Sequence, residues 1–159
     1  MTGCPTALSP SEARLLAHYA SGCRVVEAGS LLGYSTIIMA RVAASVVSID
    51  RHVGYRGSTW RRFRSNLERA GVASQVRPIR GEALMELPAI IADLAFIDLT
   101  GEYELTHQAM LACRSPLVAV HDATRSGCQG VDQAIQALGW PVVYSVDTLV
   151  VLRSEVGRR

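Results

Sequence analysis

The stretch that decides the fold is VVEAGSLLGYSTIIMAR, residues 25–41. An apolar run carries the acid Glu27, glycines follow at positions 29 and 33, and a helix-like pattern begins directly after them. Glycine lets the backbone turn sharply and approach a ligand closely, and a helix that starts there presents free N–H groups to an anion. The stretch therefore predicts a buried strand, a ligand-binding turn and a helix.

Four more apolar runs follow at regular spacing, over residues 45–50, 75–80, 94–98 and 117–121. They are short, rich in valine or isoleucine, and do not alternate with polar residues, which is typical of strands covered by helices on both faces. Helical patterns accompany them over residues 35–43, 58–70, 83–87, 102–112 and 131–138, and Ser9 with Glu12 predicts a capped leading helix. This alternation predicts an α/β fold, a doubly wound, Rossmann-like and mostly parallel sheet.

The last part of the chain has a different pattern. Residues 141–145 and 148–152 are two strand-like runs joined by Val146 and Asp147, which predicts a tight hairpin. The sheet should then have seven strands and end in a C-terminal antiparallel hairpin. No repeat, low-complexity segment or linker divides the sequence, so we expect a single domain over residues 1–159.

Composition excludes several classes of protein. The chain is 49 % hydrophobic with a net charge of +2, which is ordinary for a globular protein and too small a charge to indicate nucleic acid as a partner. All 16 basic residues are arginine, so no mechanism can use a catalytic lysine. No apolar run approaches the ~20 residues that span a bilayer, and no signal peptide is apparent. The four cysteines lack metal or redox spacing, and we expect reduced thiols in the cytoplasm.

Acids stand at or near the carboxyl ends of all five predicted parallel strands, where ligands bind in sheets of this class: Glu27, Asp50, Glu82, Asp98 and Asp122. A carboxylate that leaves an apolar strand is costly unless something polar meets it. A helix cap could explain any one of these acids, but it does not explain five at one edge. Asp50, about 20 residues after Gly29, is placed to accept the ribose hydroxyls of a nucleoside.

The turn after the first strand departs from a dinucleotide motif, because Leu31 stands where G-x-G-x-x-G requires its second glycine. It suits instead a nucleoside that carries an amino-acid tail. Ser35 and the helix N-terminus could take the carboxylate of that tail, and Glu27 could help to hold its ammonium group. S-adenosylmethionine has these groups.

Five motifs carry a resemblance to a known family: GSLLGYSTIIMAR, VVSID, VRPIRGEA, LAFIDLTGEY and LVAVHDATRSG. In this order and spacing, over about residues 22–152, the sequence resembles class I S-adenosylmethionine-dependent methyltransferases, and among them the catechol O-methyltransferase-like group with its small bacterial relatives. The resemblance implies a methionine site around Glu27–Ser35, Asp50 at the ribose, and Asp98 near the methyl group. It implies this set of cofactor-binding residues: Glu27, Gly29, Ser30, Gly33, Tyr34, Ser35, Asp50, Arg51, His52, Gly81, Glu82, Ala83 and Asp98.

The resemblance also implies a metal and a base. Metal-dependent members hold Mg²⁺ with an acid after strand four and an acidic or amide pair after strand five, and Asp98 and Asp122 match two of these ligands. The third position is Ala123 or His121 here, neither of which is an oxygen ligand, so waters would complete a Mg²⁺ site. The lysine base of the catechol enzymes is also missing. His121 is then the candidate general base, since its unperturbed pKa is about 6.5. His121, Asp98 and Asp122 together are the candidate catalytic residues. The alternative for His121 is a structural role at the end of a strand.

The sequence therefore predicts an S-adenosylmethionine-dependent methyltransferase that acts on an oxygen of a small molecule. Two alternatives stay open: a metal-independent N- or nucleic-acid methyltransferase, and a non-catalytic S-adenosylmethionine-binding accessory protein. The basic cluster Trp60–Arg64 has its aromatic residues at core spacing, and no D-P-P-Y element follows the fourth strand, which argues against nucleic acid. No insertion is long enough to form a lid, so the substrate site would be open, or completed by the leading helix, by the loops at residues 100–104 and 123–129, or by a second subunit. A homodimer is therefore a further expectation.

Overall fold

The computed structural model describes residues 8–54, 57–124 and 127–155. The α-helices are α1 Pro10–Ala20, α2 Tyr34–Ala40, α3 Trp60–Arg69, α4 Ala83–Glu86, α5 Tyr103–Ala112 and α6 Gln129–Leu138. The strands are β1 Arg24–Ala28, β2 Ser45–Asp50, β3 Val53–Gly54, β4 Gly57–Ser58, β5 Val76–Arg80, β6 Leu94–Ile97, β7 Leu117–Val120, β8 Val142–Val146 and β9 Leu149–Arg153.

Seven of these strands form one sheet in the order β5-β2-β1-β6-β7-β9-β8. The five strands from β5 to β7 are parallel, whereas β9 runs antiparallel to β7 and β8 runs antiparallel to β9. The predicted doubly wound sheet with a C-terminal hairpin is confirmed. Because β1 lies between β2 and β6, the carboxyl ends of these three strands meet at one edge of the sheet.

Both faces of the sheet are covered, which explains why the strand sequences do not alternate. Successive residues of a strand point to opposite faces, so Val26 joins an apolar cluster with Ile97 and Met110, while Val25 joins a second cluster with Phe96. All four residues of β6 are buried. The carboxyl-end edge of the sheet is thus supported by a buried central layer.

The leading helix begins as its sequence predicts. The Ser9 side chain accepts from the Glu12 backbone N–H at 3.1 Å, and the Glu12 carboxylate accepts from the Ser9 N–H at 2.6 Å, which completes the capping box. The same carboxylate also accepts from the backbone and the hydroxyl of Thr148, in the turn between β8 and β9. One acid therefore caps α1 and docks it onto the C-terminal hairpin.

Some boundaries differ from the sequence predictions. The hairpin turn lies at Asp147 and Thr148, not at Val146 and Asp147, because Val146 still pairs with Leu149. Asp147 takes the left-handed backbone conformation with φ +51°, which aspartate tolerates better than a β-branched valine. The short antiparallel pair β3 and β4 was not predicted.

Two further features concern the setting of the protein. No helix within residues 8–54, 57–124 and 127–155 is long and apolar enough to cross a membrane. Among these residues Cys23 and Cys113 are free thiols, and Cys4 lies outside the described residues.

Candidate active site

The turn after β1 packs tightly against the end of β6. Gly29 has φ +91°, and a Cβ atom at this position would lie 2.0 Å from the carbonyl oxygen of Asp98. Its N–H donates to the carbonyl of Ile49 at the end of β2. Only a residue without a side chain satisfies both the backbone angle and this contact, so the glycine fixes the turn against the two neighbouring strand ends.

Glu27 lies beneath this turn and not inside the cavity described below. Its carboxylate is fully buried and accepts hydrogen bonds from the hydroxyls of Ser35, Thr36 and Ser48. Burial raises the pKa of Glu27 to about 7, although the three hydroxyls lower it in part. The acid that was expected to help hold an ammonium group thus joins α2 to β1 and β2 in the structure.

Asp50, at the end of β2, is bonded to the same turn. Its Oδ2 accepts from the N–H groups of Ser30 and Leu31, each at 2.8 Å, and its Oδ1 accepts from His52 N–H at 2.6 Å. Leu31 adopts φ +46°, a conformation that favours glycine. The acid that was predicted to bind ribose therefore also sets the shape of the turn.

One cavity of about 730 Å³ opens along the carboxyl ends of the strands. Its apolar wall includes Leu8, Leu84, Met85, Leu99 and Leu105. A cavity of this size, mostly apolar with a few polar groups, is typical of a site for a small molecule. Ten of the expected cofactor-binding residues line it: Gly29, Ser30, Tyr34, Ser35, Asp50, Arg51, Gly81, Glu82, Ala83 and Asp98.

Three of the expected residues do not line this cavity: Glu27, Gly33 and His52. Gly33, with φ +88°, forms the N-terminal boundary of α2. The His52 ring was expected beside the adenine, but it is buried against α3, with ring centroids 5.0 Å from Trp60 and 4.8 Å from Phe63. Burial is the main cause that lowers the pKa of His52. Arg51 does line the cavity, and its Nε lies 3.0 Å from Glu82 Oε1.

A second cluster lies at the ends of β6 and β7, which pair through Ile97 and Val120. We call Asp98, His121 and Asp122 the strand-end triad. His121 Nδ1 lies 3.2 Å from Asp98 Oδ1 and 3.5 Å from Asp122 Oδ1. The three residues that were predicted to be catalytic are thus brought together. Asp98 also lines the cavity, whereas the His121 side chain is only 1 % exposed and does not.

Glu12 was missed as a site residue. The sequence indicated only its capping role, but its Oε2 lies 3.5 Å from His121 Nε2 and the residue is buried. Burial on its own would lower the pKa of His121, but Asp98, and then Asp122 and Glu12, outweigh it and raise the pKa above 6.5. Nothing in the local sequence signals a contact between residues 12 and 121, because it depends on how α1 docks onto the hairpin.

The donor set does not match the oxygen ligands that Mg²⁺ prefers. Within the described residues the triad offers two carboxylates and the ring nitrogen of His121, and these ligand atoms lie within 4.8 Å of one another. Mg²⁺ favours octahedral oxygen ligands, and imidazole suits other metals better. Ala123 is buried and has no donor in its side chain.

Comparisons with known proteins also indicate a methyltransferase. A family model described as a methyltransferase domain matches residues 26–121. The chain is 36 % identical over 122 residues to a catechol O-methyltransferase from Mycobacterium tuberculosis, across 71 % of this chain and 54 % of that protein. The chain thus spans about half the length of this curated relative.

Solved structures share the fold. A cofactor-bound protein from MTB superimposes with a TM-score of 0.77 at 25 % identity, covering 98 % of this chain and 85 % of that one. The O-methyltransferase TomG from Streptomyces achromogenes, solved in complex with SAM, gives 0.69 at 24 % identity over 93 % and 82 % of the two chains. Since the family model matches more than half of its residues, the chain belongs to the methyltransferase domain family, within the class I S-adenosylmethionine-dependent methyltransferases.

Proposed function

We propose that this chain transfers the methyl group of S-adenosylmethionine to an oxygen atom of a small molecule. The observation that carries the proposal is that one cavity gathers ten of the expected cofactor-binding residues along the strand ends. The family assignment supports the reaction class, and the relative named as a catechol O-methyltransferase supports a hydroxyl group as the acceptor.

The residues that line the cavity fit the cofactor. Ser30, Tyr34 and Ser35 would hold the methionine part, Asp50 the ribose, and Glu82 with Ala83 the adenine. Ser30 Oγ is buried and has no hydrogen-bond partner among the described residues, so a polar ligand atom there would satisfy it. When bound, the cofactor supplies a reactive methyl group on a positively charged sulfur.

The protein's own contribution is placement and charge. Asp98 is the acid of the strand-end triad that lines the cavity, so its carboxylate is the group in position to accept the proton that the acceptor hydroxyl loses on methylation. A direct general-base role for His121 requires contact with the acceptor, which its burial behind Asp98 does not favour. Holding donor and acceptor together can supply much of the rate enhancement in such a transfer.

Calorimetry with S-adenosylmethionine and S-adenosylhomocysteine tests the cofactor assignment. We expect one site per chain, and at least tenfold weaker binding in Asp50→Ala, because Asp50 lines the cavity and shapes the turn. Glu68→Ala, on the exposed face of α3, is the control that should bind normally. No binding of either compound to the wild-type chain would contradict the proposal.

Transfer is then measured with radiolabelled S-adenosylmethionine and panels of phenols, catechols, aliphatic alcohols and amines. The apolar cavity wall favours an acceptor with an apolar body. We expect label on oxygen, located by mass spectrometry of the product. Transfer to amines alone would contradict the choice of oxygen, and tight binding with no transfer to any class would favour the accessory protein.

We further propose that residues 1–159 act as one catalytic domain, that the protein is located in the cytoplasm, and that its active form is a homodimer. Free thiols at Cys23 and Cys113 support a reducing compartment. Leu31, Val53 and Met85 line the cavity and are 56 %, 64 % and 78 % exposed, so a second copy over the cavity mouth would bury them. Light scattering at assay concentration should give a dimer mass; a monomer mass would count against the dimer.

A further inference from the structure

Glu27 and Ser35 connect a buried acid to the wall of the cavity. The Ser35 hydroxyl donates to Glu27 Oε1 at 2.5 Å. Thr36 and Ser48 donate to Oε2 of the same carboxylate at 2.5 and 2.8 Å. Ser35 lines the cavity, whereas the buried Thr36 and Ser48 do not. Of these three hydroxyls, that of Ser35 is therefore the one that a ligand in the cavity can contact.

The single proton of the Ser35 hydroxyl limits what this residue offers to a ligand. A serine hydroxyl carries one donor and two acceptor lone pairs. While its proton is directed at Glu27, Ser35 can accept a hydrogen bond from a ligand but cannot donate one. To donate to a ligand carboxylate, Ser35 must turn its proton away from Glu27. An ionised, fully buried Glu27 would then lose one of its three hydroxyl donors, which is costly.

Protonation of Glu27 removes this conflict. Oε2 already accepts from two hydroxyls and Oε1 from one, so an added proton belongs on Oε1. The new O–H group donates to the Ser35 oxygen, and Ser35 can then donate its own proton into the cavity. Thr36 and Ser48 keep their bonds to Oε2. One proton is taken up from solvent, and no other covalent bond forms or breaks.

The surroundings of Glu27 bring this protonation close to neutral pH. Burial raises its pKa to about 7, although the three hydroxyls lower it in part. Its neighbours in the sheet are neutral, Ser48 on β2 and Phe96 on β6. The charged group that acts on it is Asp98, beyond the end of β6, and this like charge raises the pKa further. A change in the hydrogen bonding of Ser35 can therefore alter the protonation of Glu27 near pH 7.

We propose that Ser35 donates to the carboxylate of the cofactor's amino-acid tail only when Glu27 is protonated, so that cofactor binding is coupled to proton uptake at Glu27. Glu27 is then a positioning residue, which acts through Ser35 and does not touch the ligand. The inference rests on the proposed function, because it concerns the same cofactor site. The affinity is full below the pKa of Glu27 and falls as pH rises through it.

Calorimetry with S-adenosylhomocysteine between pH 6 and 8, in paired buffers of different ionisation heat, measures the coupling. The apparent affinity scales with the fraction of chains that carry the proton on Glu27, so Kd at pH 8 should be about tenfold higher than at pH 6. The dependence of the heat on the buffer should show net proton uptake at pH 8. Adenosine, which lacks the amino-acid tail, is the control ligand and should show neither effect.

Three variants separate this role from a purely structural one. Glu27→Gln mimics the protonated acid, because its amide donates to Ser35 and accepts from Thr36 and Ser48. It should bind at pH 8 as tightly as the wild type binds at pH 6, without proton uptake. Ser48→Ala removes a donor that lowers the pKa of Glu27, so the fall in affinity should move to higher pH. Glu68→Gln, exposed on α3, should behave as the wild type.

A fourth variant removes the hydroxyl that carries the coupling. Ser35→Ala should bind about tenfold more weakly than the wild type at pH 6 and should show no change in affinity with pH. Circular dichroism establishes that each variant is folded. If Glu27→Gln does not fold, an unshifted pH profile in folded Ser48→Ala overturns the coupling by itself.

The outcomes distinguish this inference from the proposed function. Binding of S-adenosylhomocysteine to the wild type without proton uptake, or the same uptake in folded Glu27→Gln as in the wild type, would overturn the coupling and leave the cofactor assignment standing. A wild-type chain that binds neither S-adenosylmethionine nor S-adenosylhomocysteine would refute both.

Discussion

Gly29 is the residue whose replacement the structure constrains most directly. Its φ of +91° disfavours any side chain, and a Cβ would also meet the Asp98 carbonyl oxygen at 2.0 Å. Gly22 is a matched control, because it has φ +70° but nothing within 4 Å of the added atom. We expect Gly22→Ala to lower the free energy of unfolding by about 1–2 kcal/mol and Gly29→Ala by about 2–5 kcal/mol, since overpacking adds to the strain.

Urea unfolding of the two variants and the wild type measures this difference. Equal decreases in the free energy of unfolding for the two variants would show that the turn can move away from β6 at no energetic cost. Such a result would contradict the rigid turn on which the placement of the cavity depends.

Glu27 should make stability depend on pH. Burial raises its pKa to about 7 from an ordinary 4.5, so the folded chain binds more protons than the unfolded chain between these values. The free energy of unfolding should therefore fall as pH rises from about 4.5 to about 7, by an amount on the order of 3 kcal/mol. Glu27→Gln should lack this fall, and the exposed control Glu68→Gln should retain it. The same pH slope in Glu27→Gln and the wild type would contradict the assignment.

The residues at the site differ in how far their roles could be predicted from the sequence. Asp50 and Asp98 end apolar strands, so topology alone brings them to the cavity. Glu27 also lies on such a strand, but its surroundings depend on hydroxyls from α2 and β2. The contacts of Glu12 depend on the docking of α1 against the hairpin. Sequence patterns locate strand ends, whereas the contacts of buried polar side chains come from packing between distant elements.

At the scale of elements, α1 provides a measurable link. The Ser9 hydroxyl accepts from Glu12 N–H in the capping box and donates to Asp147 in the hairpin turn. Ser9→Ala removes both bonds and should lower the free energy of unfolding by about 1 kcal/mol, the usual cost of losing an N-cap. Ser11→Ala is the control within the same turn of helix and should change stability by less than about 0.5 kcal/mol. Equal effects of the two substitutions in urea unfolding would contradict the capping role.

The elements themselves follow from local patterns, and the exceptions have physical causes. Strand β2 has the predicted bounds, Ser45–Asp50, because non-alternating apolar runs are distinctive when both faces are covered. The turn of the β8–β9 hairpin moved by one residue, because aspartate accepts a left-handed conformation more readily than valine. Strands β3 and β4 have two residues each, too few for a period to be recognised.

At the scale of the whole molecule, the sheet order explains why distant motifs form one site. Strand β1 lies between β2 and β6, and β2 also pairs with β5, so the residues that follow these four strands share one edge. The cavity is lined by residues after each of them: Gly29, Asp50, Glu82 and Asp98. A ligand at this edge contacts segments that are together only in the folded chain. Its binding should therefore stabilise the entire molecule.

Thermal unfolding measures this coupling. S-adenosylhomocysteine at 100 times its Kd should stabilise the folded chain by about 2.7 kcal/mol, which raises Tm by about 5–10 °C for a chain of this size. Asp50→Ala should show almost no shift at the same concentration, because it loses a group that lines the cavity. Gly22→Ala should begin from a lower Tm and still show the full shift, since Gly22 is not among the residues that line the cavity. A full shift in Asp50→Ala would mean that the compound binds elsewhere, and a lost shift in Gly22→Ala would mean that lower stability alone abolishes binding.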